Sequence, residues 1–247
     1  MKQSIIIPYY KNKQELYFSL NLLFMYLPKE VEVIIVANNY NPQELDISFP
    51  NCKILKYNRS LLYSKAANIG VQNATGDIIT LMDQDIFVTN NWYEPLIDKL
   101  LSDPNIGAVS SKMINPTNNR ILEYGIEYTP YNSAHIGKDL SAQSSLVQSD
   151  ISVSSACGGV LMTYKSLYNK LGGMDEDMPY SCCDCDFTLK LWALGKKVWV
   201  VGDSVVFHKS FTSKISGKIS DFSFLENDSR WIFYKKNASR MRYNLEA

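Results

Sequence analysis

The sequence predicts a single Rossmann-like α/β domain with a central, mostly parallel sheet flanked by helices. Apolar, β-branched runs alternate with segments of helical periodicity over the first hundred residues. The strand-like runs are continuously apolar, as expected for strands covered on both faces. One run ends abruptly in two carboxylates separated by one residue, at the end of the strand where open α/β sheets bind ligands.

Taken in order, Ser4-Ile5-Ile6-Ile7-Pro8 reads as a first strand stopped by proline. Residues 13–26 carry Leu16, Leu20 and Leu23 at helical spacing, with Leu27 following. Val31-Glu32-Val33-Ile34-Ile35-Val36 is a second strand, closed by the turn-prone Asn38-Asn39-Tyr40-Asn41-Pro42. Residues 53–57 form a short third strand, residues 64–73 a helix and residues 77–82 a fourth strand. In the second half, Gly158-Gly159 opens an apolar strand through Met162. Phe187, Leu189, Leu191, Trp192 and Leu194 then mark an amphipathic helix closed by Gly195. Val198-Trp199-Val200-Val201 and Val205-Val206-Phe207 read as two further strands, with His208 directly after the second.

Composition excludes several classes. The 247 residues are enough for one large domain with a substantial core. At 46% hydrophobic and 20% charged, the chain is globular rather than disordered. Lys+Arg 25 against Asp+Glu 25 leaves no net charge to steer it to nucleic acid, which is not expected as a partner. No apolar run approaches a membrane span, and Met1-Lys2-Gln3-Ser4 leads straight into a strand rather than a secretory leader. Cys182, Cys183 and Cys185 are too crowded for a disulfide framework and lack zinc-ligand spacing. They read as reduced, packed thiols, and the expected location is cytoplasmic. The chain has neither a Gly-x-Gly-x-x-Gly fingerprint nor a phosphate-binding loop ending in Gly-Lys-Ser/Thr, which argues against dinucleotide oxidoreduction and loop-type ATP hydrolysis.

The chemistry lies in carboxylates. Asp83 and Asp85 at a strand end repel one another and are costly to desolvate, so a cation is their natural compensation. Hard oxygen ligands suit Mg²⁺ or Mn²⁺ shared with a substrate's phosphates. The alternative is a solvated loop in which Asp serves the turn. Asp184 and Asp186 sit at or just before a helix N-terminus, where the dipole favours the ionised form. One is expected to cap the helix; the other, Asp184, suits general-base work on an incoming hydroxyl. His208 is a third metal ligand or a structural histidine.

These motifs together resemble family 2 glycosyltransferases. Residues 4–8, Asn68-Ile69-Gly70 with Gly76-Asp77, Asp83-Gln84-Asp85, Gly172-Gly173-Met174-Asp175-Glu176, Cys183-Asp184-Cys185-Asp186-Phe187 and His208 occur in that family's order over residues 4–212. The resemblance implies the GT-A fold over residues 1–212, with a nucleotide-sugar-binding half (1–110) and an acceptor and catalytic half (111–212). It implies an inverting transfer of a sugar from a nucleotide-diphosphate donor to a hydroxyl of a glycan or lipid-linked saccharide. Asp83, Asp85 and His208 would hold Mn²⁺ or Mg²⁺, and Asp184 would be the base. Pro8, Tyr9, Tyr10 and Asn38 would hold the nucleoside. Lys65 and Asn68 would lie by the diphosphate, and Gly158 and Gly159 would line the donor-sugar and acceptor region.

Departures leave choices open. Ala37 and Asn38 stand where the family usually has an acidic residue, so the nucleoside is undecided. The glutamine of Asp83-Gln84-Asp85 resembles some rhamnosyltransferases and adds dTDP-linked donors to UDP-linked ones. A phosphatase of the haloacid dehalogenase type also uses Asp-x-Asp, but expects Thr or Val where Phe87 stands. Sugar nucleotidyltransferases need a glycine- and arginine-rich first loop that Pro8-Tyr9-Tyr10-Lys11 does not supply. A non-catalytic carbohydrate-binding relative is the non-enzyme alternative. Residues 115–150, with Tyr124, Tyr128, Tyr131 and His135, are either a sugar-contacting loop or a surface insertion. The basic, aromatic extension (213–247) either rests through residues 228–247 on the inner face of an anionic membrane or packs over the site.

Overall fold

A computed structural model describes residues 1–38, 45, 47–129, 132–209 and 219–243, without the side chains of 129, 132, 219–224, 242 and 243. The expected alternation forms the first half: β1 (Gln3–Tyr10), α1 (Lys13–Tyr26), β2 (Glu32–Asn38), β3 (Cys52–Lys56), α2 (Leu62–Asn73) and β4 (Ile78–Met82). β5 (Ile86–Val88), α3 (Glu94–Ser102), β6 (Ile106–Ile114), β7 (Ile121–Glu123), β8 (Ile126–Thr129) and β9 (Asn132–His135) follow. Then come β10 (Ile151–Val153), β11 (Val160–Tyr164), α4 (Lys165–Lys170), α5 (Cys183–Ala193), β12 (Lys197–His208) and α6 (Ile219–Tyr243). Among the described residues no helix is long and apolar enough to cross a membrane.

The main sheet runs β10-β12-β6-β11-β4-β1-β2-β3. β4, β1, β2 and β3 are mutually parallel, as are β6 and β12, while β11 lies antiparallel between β4 and β6. Two-residue alternation divides the apolar side chains between two cores. Ile5, Ile7, Val33 and Ile35 face α1 and α3, whereas Ile6, Ile34, Ile79 and Leu81 face α2 and α5. Gly70 lets α2 lie close on the sheet, since a Cβ there would stand 2.2 Å from Ile6 Cγ2. Chain order departs from β1 first toward β2 and β3, then to β4 on its other side. That switch point opens a crevice at the carboxyl ends of β1 and β4, and ligands bind at such crevices.

Three expectations need correction. Pro8 does not stop β1, which continues to Tyr10. The β4 ladder has already ended at Ile6↔Leu81, so the missing N–H breaks no bond on that side. The two runs after residue 197 are one strand, β12, whose register against β6 shifts between Val201 and Val205. Residues 115–150 are largely folded rather than a loop, with β7 on β6 and a β8–β9 hairpin. Tyr124 and Tyr128 are buried core residues, while Tyr131 lies outside the described residues.

The C-terminal segment packs on α5 and β8. Phe233 of α6 is buried against Tyr128, their ring centroids 5.7 Å apart. Asn237 Nδ2 donates to the fully buried Asp186 Oδ1 at 2.9 Å, and Arg240 approaches the same oxygen at 3.4 Å. Lys190 pairs with Asp186 Oδ2 at 2.6 Å. Trp231 and Tyr234 stay exposed on the outer face of α6.

Candidate active site

The end of β4 delivers Asp83 into the crevice, its N–H bonded to Gly159 O at 3.0 Å. The chain then turns into β5, which pairs antiparallel with the end of β12 and sets His208 opposite Ile86. This pairing brings His208 Nε2 to 3.3 Å from Asp85 Oδ1 and 3.8 Å from Asp83 Oδ2. One ligand atom from each of Asp83, Asp85 and His208 lies within 4.8 Å of the others. All three stand out as candidates in the sequence, and the fold brings them together.

Electrostatics describe an under-compensated negative centre. Burial pushes the Asp83 carboxyl up to about 7; Asp85 and Asp184 add to the rise, while His208 and a hydrogen bond from Tyr63 oppose it. Burial also favours neutral Asp85, but the bonded His208 imidazole outweighs it and holds that carboxyl below the usual range. For His208 burial lowers the pKa, yet Asp85 and Asp83 lift it above the ordinary value. One imidazole thus serves two half-buried carboxylates and leaves Asp83 poorly stabilised as an anion. Two carboxylate oxygens and one imidazole nitrogen form a donor set that fits Mn²⁺ or Mg²⁺.

Asp184 stands across from this centre, in the first turn of α5. Its Oδ2 accepts from Gly158 N at 2.6 Å and its Oδ1 from Cys185 N at 2.8 Å. Neither Asp184 nor Asp186 caps the helix, contrary to expectation. α5 starts one residue earlier, with Cys182 as the cap in left-handed geometry, φ 63°. Gly158 is tightly placed: a Cβ there would meet Asp184 Cβ at 3.1 Å and Tyr63 Oη at 3.2 Å, and those neighbours would have to give way slightly. A Cβ on Gly159 would stand 2.9 Å from Met113 Sδ. The five cysteines are free, and burial pushes the Cys182 thiol up to about 11, with Cys183 and Cys185 raised further. They are packed thiols rather than nucleophiles.

The remaining expected residues fall into two groups. Tyr10 lies at the crevice, whereas Pro8 and Tyr9 are buried in the sheet. Asn38 is buried, and its Oδ1 accepts from Leu61 N at 2.9 Å, anchoring the loop into α2. Asn39 to Pro42 lie outside the described residues. Asn68 ties α2 to the Gly172-Gly173 turn, donating to Met174 O at 2.9 Å and accepting from Met174 N at 2.9 Å and Tyr168 Oη at 2.7 Å. Lys65 is exposed and pairs with Glu176 at 3.6 Å.

Two residues escaped the sequence reading. Tyr63, in the first turn of α2, donates to Gly158 O at 3.4 Å and bonds Asp83, so it links the two carboxylate centres. Gln84 is not a ligand spacer alone: its Oε1 accepts from Tyr10 N at 2.7 Å and its Nε2 donates to Lys11 O at 3.0 Å. An aromatic at a helix start carries no sequence signal for the first role. The polar residue between two aspartates carries a weak one for the second.

The profile of the family described as Glycosyl transferase family 2 matches residues 4–166. Mouse polypeptide N-acetylgalactosaminyltransferase 5 is 24% identical over 201 residues, covering 73% of this chain but 21% of the mouse protein. This chain therefore spans about a fifth of that relative's length. GalNAc-T7 solved with UDP, GalNAc and Mn²⁺ superposes with a TM-score of 0.68 at 18% identity, over 84% of this chain and 43% of its own. A Pyrobaculum calidifontis mannosyltransferase in complex with GDP-Man and Mn²⁺ gives 0.62 at 15% identity, over 97% and 73%. The fold is the GT-A fold expected from the sequence.

Proposed function

The chain belongs to glycosyl transferase family 2, and from that premise we propose that it is an inverting, metal-assisted glycosyltransferase with Asp184 as its general base. The observation that carries this reading is Asp184, held on Gly158 N at 2.6 Å, within the field of Asp83 and across from the Asp83–Asp85–His208 centre. The acceptor hydroxyl oxygen bonds to the anomeric carbon as the sugar–diphosphate bond breaks. Its proton passes to Asp184, and the nucleoside diphosphate leaves with the electron pair. Asp83, Asp85 and His208 would hold the cation; bound there, Mn²⁺ or Mg²⁺ supplies neutralisation of charge on the leaving diphosphate. Tyr10 and Lys11, braced by Gln84, form the nucleoside side of the crevice.

Family membership sets aside the phosphatase and nucleotidyltransferase alternatives. The donor is a UDP-, dTDP- or GDP-linked sugar and the acceptor a glycan or lipid-linked saccharide. On this reading the chain works in the cytoplasm, with Trp231, Tyr234 and Lys235 of α6 facing an anionic membrane. Co-sedimentation with anionic and neutral vesicles tests that placement; equal recovery with both, or none with either, removes it.

The donor test is thermal stabilisation by UDP, dTDP and GDP, each with Mn²⁺ and with chelator. A nucleotide at a hundred times its Kd should add about 2.7 kcal/mol, a shift of a few degrees. The response should vanish with chelator and in Asp85→Ala. Stabilisation by no nucleotide would remove the proposal.

A further inference from the structure

Tyr63 touches the cation centre and the glycine that holds the base, yet the transfer just described gives it no task. The chain enters α2 through Leu62 in left-handed geometry, φ 57°, a setting that residues other than glycine rarely adopt. Such an outlier persists where its surroundings fix it. On one side, Leu61 N is held by Asn38 Oδ1 at 2.9 Å. On the other, Tyr63 N and Ser64 N donate to Pro179 O at 2.9 Å and 3.2 Å, and Ser64 Oγ donates to Met178 O at 2.6 Å. The turn is thereby pinned to the end of β2 and to the segment before α5, and the phenol is directed at the end of β4.

Two acceptors share the Tyr63 hydroxyl. Gly158 O lies at 3.4 Å, and the other is the Asp83 carboxylate. A hydroxyl has one proton, and a bond to an ionised acceptor is roughly twice as strong as one to a neutral acceptor, so Asp83 takes the larger share. His208 Nε2 stands 3.8 Å from Asp83 Oδ2, too far for a hydrogen bond, so the imidazole does not orient that carboxylate. The phenol is also near the base: Tyr63 Oη and Asp184 Oδ2 each lie 3.2 Å from the point a Gly158 Cβ would occupy. Of the two carboxylates, Asp83 acts on the phenol more strongly. Cys183 and Cys157, the other groups within reach of it, are thiols that burial keeps neutral.

Resting on the cation site of the transferase reading, we propose that Tyr63 is a positioning residue whose hydroxyl holds the Asp83 carboxylate in the orientation that receives the divalent cation. Ligating carboxylates are themselves oriented by hydrogen bonds from outside the coordination set, and losing such a partner typically costs 10–100-fold in metal affinity or activity. Asp83, Asp85 and His208 remain the ligands, and Tyr63 acts through Asp83.

Tyr63→Phe removes the oxygen and keeps the ring that packs against the core. The probe is Mn²⁺, titrated alone and with UDP, dTDP or GDP, so that a cation entering only beside a diphosphate is also seen. Binding is read from the loss of the free-ion paramagnetic resonance signal and from the rise in melting temperature with Mn²⁺ concentration. Tyr63→Phe should weaken Mn²⁺ binding by about 10- to 100-fold. Its melting temperature in chelator should stay close to wild type, and excess Mn²⁺ should restore the full thermal rise. A wild-type chain that takes up no Mn²⁺ under any of these conditions overturns the cation site and this inference with it. With Mn²⁺ bound by the wild type, equal affinity in Tyr63→Phe overturns this inference alone. So does a variant that melts well below wild type in chelator and is not restored by excess Mn²⁺, since the hydroxyl would then serve packing.

Discussion

Gly158 N donates to Asp184 Oδ2 at 2.6 Å, and with the Cys185 N bond to Oδ1 it fixes the carboxylate at the head of α5. The geometry is tight at residue 158, where a Cβ would stand 3.2 Å from Asp184 Oδ2. Asp184→Asn is expected to lower turnover by ~10²–10⁴-fold with nucleotide affinity retained. Gly158→Ala should act in the same direction by displacing the carboxylate. Steady-state rates beside nucleotide titrations check both; loss of binding in step with rate would contradict the assignment.

Cation binding should depend on pH through Asp83. Its carboxyl titrates at about 7 against an ordinary 3.8, so a cation must displace a proton below that pH. Mn²⁺ affinity is expected to climb with pH through about 7 as Asp83 loses its proton, and to level only once His208, itself raised above its ordinary value, is also neutral. In the metal-free chain the sign for stability is opposite. This group's contribution is fully present below its unfolded pKa and is lost as pH rises through about 7. Calorimetric Mn²⁺ titrations across this range, with Asp83→Asn as control, test it; a Kd flat with pH would refute it.

Gln84 braces the end of β1 through Tyr10 N and Lys11 O. Gln84→Leu removes both bonds, and the expected cost is about 1–3 kcal/mol of stability with weaker nucleotide binding. Thermal melts with and without nucleotide measure the two effects separately. Unchanged nucleotide affinity would show the brace to be irrelevant to the donor.

Docking of α6 carries its own pH window. Lys236 Nζ lies 2.6 Å from Asp175 Oδ2 and 2.8 Å from Asp177 Oδ2. Burial alone would raise the Asp175 carboxyl, but the Lys236 hydrogen bond wins and holds it below the usual range. The hydrogen bonds to Asp175 and Asp177 raise Lys236. The Asp175 contribution is therefore present above its unfolded value of 3.8 and lost as pH falls through the lower folded value. The Lys236 contribution is present below 10.5 and lost as pH rises through the higher folded value. Lys236→Met should lower stability near neutral pH by less than ~1 kcal/mol and flatten the acid limb of a melting curve.

Much of the fold was legible in local pattern. The leucine spacing from Leu16 to Leu23 gave α1 its residues, and the isoleucine run from Ile5 to Ile7 placed β1. Asp83-Gln84-Asp85 and the Asp184 segment stood out because carboxylates at element ends are costly without a task. What local pattern misjudged was long-range. Pro8 looked like a terminator because its unpaired side was invisible, and the polar residues 115–150 looked like a loop because their strands pair with β6 and with each other.

The sequence by itself determined the alternating α/β layout, the strand-end carboxylates and the amphipathic faces, since these rest on period and on neighbouring residue chemistry. Tertiary structure decided which distant groups meet. β5–β12 pairing carried His208 to Asp85 across more than a hundred residues, α2 carried Tyr63 between Asp83 and Gly158, and the turn at Gly125 seated His135 on Glu123. The physical reason is range: periodicity and propensity act within a few residues. Strand register, burial and charge pairing depend on the whole packed chain.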